Sequence, residues 1–398
     1  MAASSSRFAV ITLSLTYALY FGQLGVITPY LGVFLDGRGF TSVEIGELFA
    51  VITLARIIGP SLWAGVADRT GKILFILRLG SGLTVLSFIG VFWAYSFWYL
   101  TLVMGLMMMF WTAVLPQLEV LTLQTIEGDS KRYGRIRLWG SIGFIVLTVL
   151  VGKALDFFST DAPIYASMVV LIGLFISSLT LTQPQNLKPK AAVAVRIMPF
   201  LRDKVALLFL LSNALLQLSF GAYYGFFALY MRDLGYSGMQ TVLLIALGVT
   251  VEVGIFLVAQ RLISRFGVWR LMVFCLLATG LRWLVLGTLA DMFWLVFFSQ
   301  FIHALSFGLN HSTSMHFIHH YFPTQIHGRI QAAYISLAFG LGGAVGNYAA
   351  GLLWQQGAGS MLTFSAAGAC AAAGGLVLLL VTPQQMDKRR ERSRGQVL

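Results

Sequence analysis

Apolar residues in this chain gather into long unbroken runs separated by short polar joints, with no strand-like alternation. The runs are too long for the spans of a membrane barrel, which alternate apolar and polar positions over about ten residues. They are long enough for helices that cross a bilayer. The pattern predicts twelve of them, over 8–35, 43–67, 72–95, 97–125, 136–155, 163–182, 205–231, 239–264, 269–289, 292–320, 329–354 and 360–381. Arg7 precedes a first run that is too long for the apolar centre of a cleavable signal, so that run reads as a retained span. The fold expected is an all-α membrane protein, twelve transmembrane helices in two pseudo-symmetric six-helix bundles.

Composition agrees. Hydrophobic residues are 58% and charged residues only 11%, against about 25% charged in an ordinary soluble domain. Cys275 and Cys370 lie inside apolar runs and read as small buried hydrophobes, with a disulfide left open. The net charge of +12 suggests nucleic acid until its distribution is mapped. With the amino terminus inside, 22 of the 27 Lys and Arg fall on inner loops and helix ends, 3 outside (Arg38, Lys153, Arg232) and 2 within helices. That is the positive-inside bias of a multi-pass inner-membrane protein with both termini cytoplasmic. The tail 386–398, with Lys388, Arg389, Arg390, Arg392 and Arg394, reads as an anchor on anionic lipid, and no nucleic-acid partner is expected. The bundles cover 1–182 and 205–385, joined by a cytoplasmic linker, 183–204, rich in proline and positive charge. A monomer is expected, with no cofactor and no metal.

The halves repeat. Gly39-Phe40 through Gly71 realigns on Gly235-Tyr236 through Gly267 at an offset of 196. Arg56 in the first copy occupies the place of Glu252 in the second. A duplicated apolar half with opposite charges at matching depth suits a transporter that binds its solute near mid-membrane. Glu119 and Arg282 are also within apolar helices, and Arg137 lies at the first turn of the fifth. Charges at that depth are costly unless they pair or line a wet cavity. They read as functional, against the plainer reading that Arg56 and Glu252 only weld the halves. The amides Gln23, Asn213 and Gln217, on the first and seventh helices, and the rings Tyr223 and Tyr224 are candidates to shape a cavity. All six histidines fall between 303 and 327. His303 and His311 are within the tenth helix and suit a protonation relay. His316 and His320 have a metal-clamping spacing without a third ligand nearby in sequence. The turn Gly65-Val66-Ala67-Asp68-Arg69-Thr70-Gly71-Lys72 reads either as a clasp, with Asp68 accepting from helix-end N–H groups, or as a charged turn that fixes topology.

That turn resembles the helix-two-to-three signature of the major facilitator superfamily, whose counterpart in the second half has Ser264 where the first has Asp68. Tyr133-Gly134-Arg135-Ile136-Arg137-Leu138-Trp139-Gly140-Ser141, Ala222-Tyr223-Tyr224-Gly225-Phe226, Val251-Glu252-Val253 and Leu281-Arg282-Trp283 resemble the phenylpropionate permease family, a relative of lactose permease. The resemblance implies roles. Glu119 and Arg137 match the sugar-binding acid and arginine of lactose permease, and Glu252, Arg282 and His303 match its eighth-, ninth- and tenth-helix coupling residues. Two positions depart. Phe144 stands for the sugar-stacking tryptophan, and Ser306 for the tenth-helix carboxylate of proton release. The first weighs against sugar; the second leaves coupling to Glu252 and Glu119.

The expectation is a secondary transporter rather than an enzyme. It is a proton-coupled symporter importing a small organic solute such as 3-phenylpropionate. Arg56 or Arg137 contacts the anion and Glu252 carries the proton. Two alternatives stand beside it, a sugar or oligosaccharide symporter and a membrane sensor that binds without transporting.

Overall fold

A computed structural model describes residues 2–127, 129–182 and 198–387. Among the described residues, twelve helices are long and apolar enough to cross a membrane. They are α1 (Phe8–Gly37), α2 (Ser42–Ala67), α3 (Ile73–Trp93), α4 (Phe97–Thr125), α5 (Arg132–Phe157), α6 (Ala162–Thr180), α7 (Lys204–Asp233), α8 (Gly238–Phe266), α9 (Val268–Leu289), α10 (Phe293–Tyr321), α11 (Thr324–Gly357) and α12 (Ser360–Leu378). Every expected run is a helix, and α5 begins four residues earlier than its apolar run because its first turn is basic. The linker is described only from Met198, where a single turn, Met198–Leu201, precedes α7. Of the tail, only Met386 and Asp387 are described.

Contacts divide the chain into two compact units, Met1–Lys190 with Ser237–Val242, and Ala191–Tyr236 with Leu243–Leu398. Each turn of the repeat is closed by glycine in the left-handed region, with φ of 82° at Gly39 and 85° at Gly235. Side chains with a Cβ rarely adopt that conformation. Beyond Gly39, Thr41 and Glu44 form a reciprocal capping box that starts α2.

In the first unit, α1 packs along α5 and α6. A Cβ on Gly143 of α5 would collide with the Ala18 carbonyl of α1. In the second unit, a Cβ on Gly342 of α11 would lie 2.6 Å from the Ala214 carbonyl of α7, and one on Gly346 would collide with the Leu218 carbonyl. Ala18 and Ala214 are 196 positions apart, so the repeat seen in sequence is also a repeat of backbone contact. Without a hydrophobic drive between helices in lipid, such close approach is what holds a pair together.

The same orphan carbonyl is satisfied differently in each unit. Arg38 donates to Val91 O (3.4 Å) and Ala94 O (3.3 Å) at the end of α3 and reaches Asp161 at 3.3 Å. The equivalent Ala290 O after α9 accepts from the Tyr236 hydroxyl at 2.8 Å. Burial, with Asp291 nearby, pushes that phenol's pKa up and keeps it a donor. The last helix of each unit is closed in the same manner. Arg78 donates to the carbonyls of Ser178, Leu179 and Leu181 (3.3, 3.0 and 2.9 Å), and Trp269 donates to Leu378 O at 2.9 Å. The first turn of α8 belongs to the first unit, where Asp156 accepts from the Gly238 and Met239 amides at 2.7 and 3.1 Å. A carboxylate there offsets the positive end of the helix.

Gly346→Val is expected to lower the thermal unfolding midpoint of the purified protein, by the equivalent of about 1–3 kcal/mol. Gly254→Ala, at a position with open space around it, should leave the midpoint unchanged or slightly raised. Equal midpoints for both variants would refute the close-packing account.

Candidate functional site

Charged and unpartnered polar groups collect at one place in each unit. In the second unit the centre is Arg282 on α9, fully buried. Its guanidinium contacts His303 Nδ1 at 3.1 Å through Nη1 and donates to Gln300 Oε1 at 3.3 Å through Nη2. It lies over the rings of Trp283 (4.3 Å) and Tyr223 (4.6 Å). Its Nε has no hydrogen-bond partner among the described residues.

This geometry fixes the histidine. A guanidinium has donors only, so His303 Nδ1 must be the acceptor and the ring proton sits on Nε2. Nε2 faces Glu252 Oε2 on α8 at 3.8 Å, beyond direct hydrogen bonding. Glu252 therefore balances the buried guanidinium across a neutral imidazole. Glu252 gets close because Gly308 on α10 offers no Cβ, which would lie 2.8 Å from Glu252 Cγ. Of the exposed apolar positions of α8, Leu243 and Leu257 lie on the face opposite Glu252, whereas Phe256 lies one turn along its own face. Gln300 is locked in turn. It accepts from the Tyr223 hydroxyl at 3.3 Å and donates to Val296 O at 3.2 Å and Ser299 Oγ at 3.1 Å. Ser306 bonds Thr279 at 2.8 Å and Ile302 O at 2.9 Å, which ties α9 to α10.

In the first unit, Arg137 on α5 lies 3.8 Å from the Phe21 ring centroid and 5.8 Å from that of Tyr17, both on α1. Glu119 on α4 lies beside Arg137 and the Tyr133 hydroxyl. Tyr20 stacks on Trp111 at 4.1 Å, with Arg56, Glu119 and Arg137 as the charges around it. Arg56 is exposed, but on the other side of the packed face of α2 from the exposed apolar stripe Val51, Leu54, Ile58 and Leu62. Gln23 is buried with neither amide atom partnered, and the Trp111 indole N–H is likewise unpartnered among the described residues.

Several other expected site residues are engaged within the fold. Asn213 Oδ1 accepts from Asn310 at 2.9 Å and Ser314 at 3.2 Å, and its Nδ2 donates to Phe209 O at 2.9 Å. That amide braces α7 against α10. Tyr223 supports the Arg282 cluster, Tyr224 packs on Phe220 at 5.4 Å, and Gln217 is buried on α7. Phe144 O accepts from Thr148 at 2.7 Å where α5 meets α1, beside Gly25. In the clasp turn, Gly71 has φ 65° and its N–H closes on Ala67 O, with Gly65, Arg69 and Lys72 exposed; the side chain of Asp68 lies outside the described residues. His316 and His320 stack at 6.2 Å, and His319 meets His327 edge-on at 4.6 Å. Gln300 and Trp111 were not among the expected residues. The available signal for Gln300 was its spacing, three before His303 in the more apolar first half of α10.

Residues 10–366 match the MFS_1 like family. The chain belongs to that family. It is a secondary transporter of the major facilitator superfamily and a multi-pass membrane protein, and its relatives are transporters rather than enzymes. It is 29% identical over 353 residues to the probable 3-phenylpropionic acid transporter of Escherichia coli, covering 86% of this chain and 90% of that protein. It is 28% identical over 355 residues to the maltose permease of Geobacillus stearothermophilus, covering 86% and 88%. The crystal structure of the nucleoside transporter NupG superimposes with a TM-score of 0.82 at 17% identity, over 96% of this chain and 100% of that one. That likeness concerns the fold. For this MFS_1-like transporter, His303→Leu should destabilise the protein by about 1–3 kcal/mol, since it removes one of the two hydrogen-bond acceptors of a buried guanidinium. Arg282→Met combined with His303→Leu should recover much of that loss in a double-mutant thermal-unfolding cycle. Simple additivity would deny the coupling.

Proposed function

We propose that this MFS_1-like protein is a symporter that moves one proton with one small carboxylate, in the class of 3-phenylpropionate. The observation that carries the proposal is the set of charges at membrane depth. Three guanidiniums, Arg56, Arg137 and Arg282, stand against two carboxylates, Glu119 and Glu252. With both acids ionised, the interior carries one unmatched positive charge. A proton on Glu252 adds one positive charge and a carboxylate solute removes it. The empty and loaded proteins then carry equal interior charge, which is the condition for both to cross at similar cost. Glu252 suits the proton because its neighbour is a neutral imidazole N–H, with the compensating cation one residue further away. Protonation releases the electrostatic hold on Arg282, and so changes which conformation is favoured.

For the anion, Arg137 is the residue of choice. Its planar fork grips both oxygens of a carboxylate, and the faces of Phe21 and Tyr17 orient it. Arg56 lies near the same group around Tyr20. The similarity to the probable 3-phenylpropionic acid transporter supports an aryl acid. The similarity to a maltose permease supports the second reading, a sugar held by Glu119 and Arg137. The lysine and arginine distribution supports cytoplasmic termini in a bacterial inner membrane, with the exposed turn around Gly65, Arg69 and Lys72 on the inner side. The protein acts as a monomer.

The two solute classes differ in charge movement. In proteoliposomes, a pH gradient should drive accumulation of 3-phenylpropionate, and a potassium-diffusion potential alone should not. Accumulation of a neutral sugar driven by the potential would overturn the carboxylate reading. Glu252→Gln should lose pH-driven accumulation while keeping solute exchange, and Arg137→Gln should raise the half-saturation concentration at least about tenfold. Unchanged pH-driven accumulation in Glu252→Gln would remove Glu252 from the proton path.

A further inference from the structure

Two segments of the second unit leave the α-helical register. Leu305–Leu309 in α10 and Ile335–Gly342 in α11 are wide π-helical turns. Such turns are rare and recur at functional sites. Each carries a phenylalanine, Phe307 and Phe339, and the two rings meet edge to face at 5.9 Å and 83°. His311, one turn beyond the first segment, stacks on Phe307 at 6.1 Å and 12° and meets Phe339 edge-on at 6.0 Å. Tyr334 closes the back, 6.1 Å from His311 and 5.6 Å from Phe339. An unbroken α10 would turn His311 roughly 100° away from Phe339, because each wide turn inserts one residue into the helical register.

The direction this group faces can be read from exposure. On α10 the exposed apolar stripe runs through Trp294, Phe298 and Phe301; on α11 it runs through Leu337, Leu341 and Val345. Phe307, His311 and Phe339 lie on the opposite faces, yet all three are partly exposed. They therefore border accessible space, as does exposed Ile335 one turn before Phe339. His311 Nδ1 has no hydrogen-bond partner there, although it is shielded from solvent. A buried imidazole nitrogen without a partner is costly to maintain in packing alone.

We infer that Phe307, Phe339 and His311 form a clamp for the planar aromatic ring of the solute. The clamp takes its ligand class from the aryl-acid reading above. Rings at these separations bind a third ring by edge or face, whereas a saturated ring of the same size has no quadrupole to match.

The test is a binding panel on the purified full-length protein. The probes are 3-phenylpropionate, 3-cyclohexylpropionate, 3-phenylpropanol and 3-cyclohexylpropanol, measured calorimetrically. The wild type should prefer phenyl to cyclohexyl in both pairs. Phe307→Leu and Phe339→Leu should each reduce that ratio about three- to tenfold, and Phe307→Tyr should retain it. Unliganded thermal unfolding of each variant separates a lost clamp from a lost fold. A phenyl preference that survives both leucine substitutions, or is absent in the wild type while the acids still bind, overturns the clamp and leaves the carboxylate reading standing. Phenyl preference in the alcohols with no binding of either acid overturns the carboxylate reading and supports the clamp. No binding of any aryl compound overturns both.

Discussion

A guanidinium with no solvent exposure, set among apolar helices, constrains everything around it. Arg282 cannot shed its charge, so the fold must supply acceptors and a counter-charge or leave the group intolerably costly. It does both with neutral or distant groups. His303 and Gln300 take the hydrogen bonds, two aromatic faces take part of the charge, and the balancing carboxylate of Glu252 is one imidazole away. A direct Arg–Glu bond would be a tighter pair. By inserting a neutral ring, the structure keeps the acid close enough to compensate without bonding it directly.

The surrounding architecture serves that arrangement. Gly308 lets α8 approach α10 at Glu252, and Thr279 and Ser306 hold α9 and α10 in register beside it. Further off, backbone contacts at Gly143, Gly342 and Gly346 give each unit a stiff pair of helices. Rigid units carrying charged sites are what a transporter needs, since its cycle must move the sites without dissolving them.

How far this was readable in advance depends on the kind of signal. Twelve spans were legible because lipid demands continuous apolar length, and no tertiary contact overrides that demand. The duplication was legible too, and the structure adds that copies preserve problems rather than residues: the carbonyls of Ala94 and Ala290 are capped by Arg38 in one unit and Tyr236 in the other. Individual charges such as Glu252, Arg282 and Arg137 stood out because ionised residues are rare at that depth. Their partners did not stand out. Asn213 looked like a cavity amide, but its hydrogen bonds go to Asn310 and Ser314, 97 and 101 positions away. Gln300 went unweighted for the converse reason. The wide turns at Leu305–Leu309 and Ile335–Gly342 leave no trace in a run of apolar residues, so the meeting of Phe307, His311 and Phe339 was invisible before the helices were placed.

The tautomer of His303 is the point on which the account rests, and nitrogen NMR reads it directly. The protein would be labelled with 15N at histidine and reconstituted in lipid, with the His303 signals assigned by their loss in His303→Asn. The account predicts a neutral ring with Nδ1 bare and Nε2 protonated. A ring protonated at both nitrogens, or at Nδ1 alone, would contradict it, because Arg282 would then face a donor where it requires an acceptor.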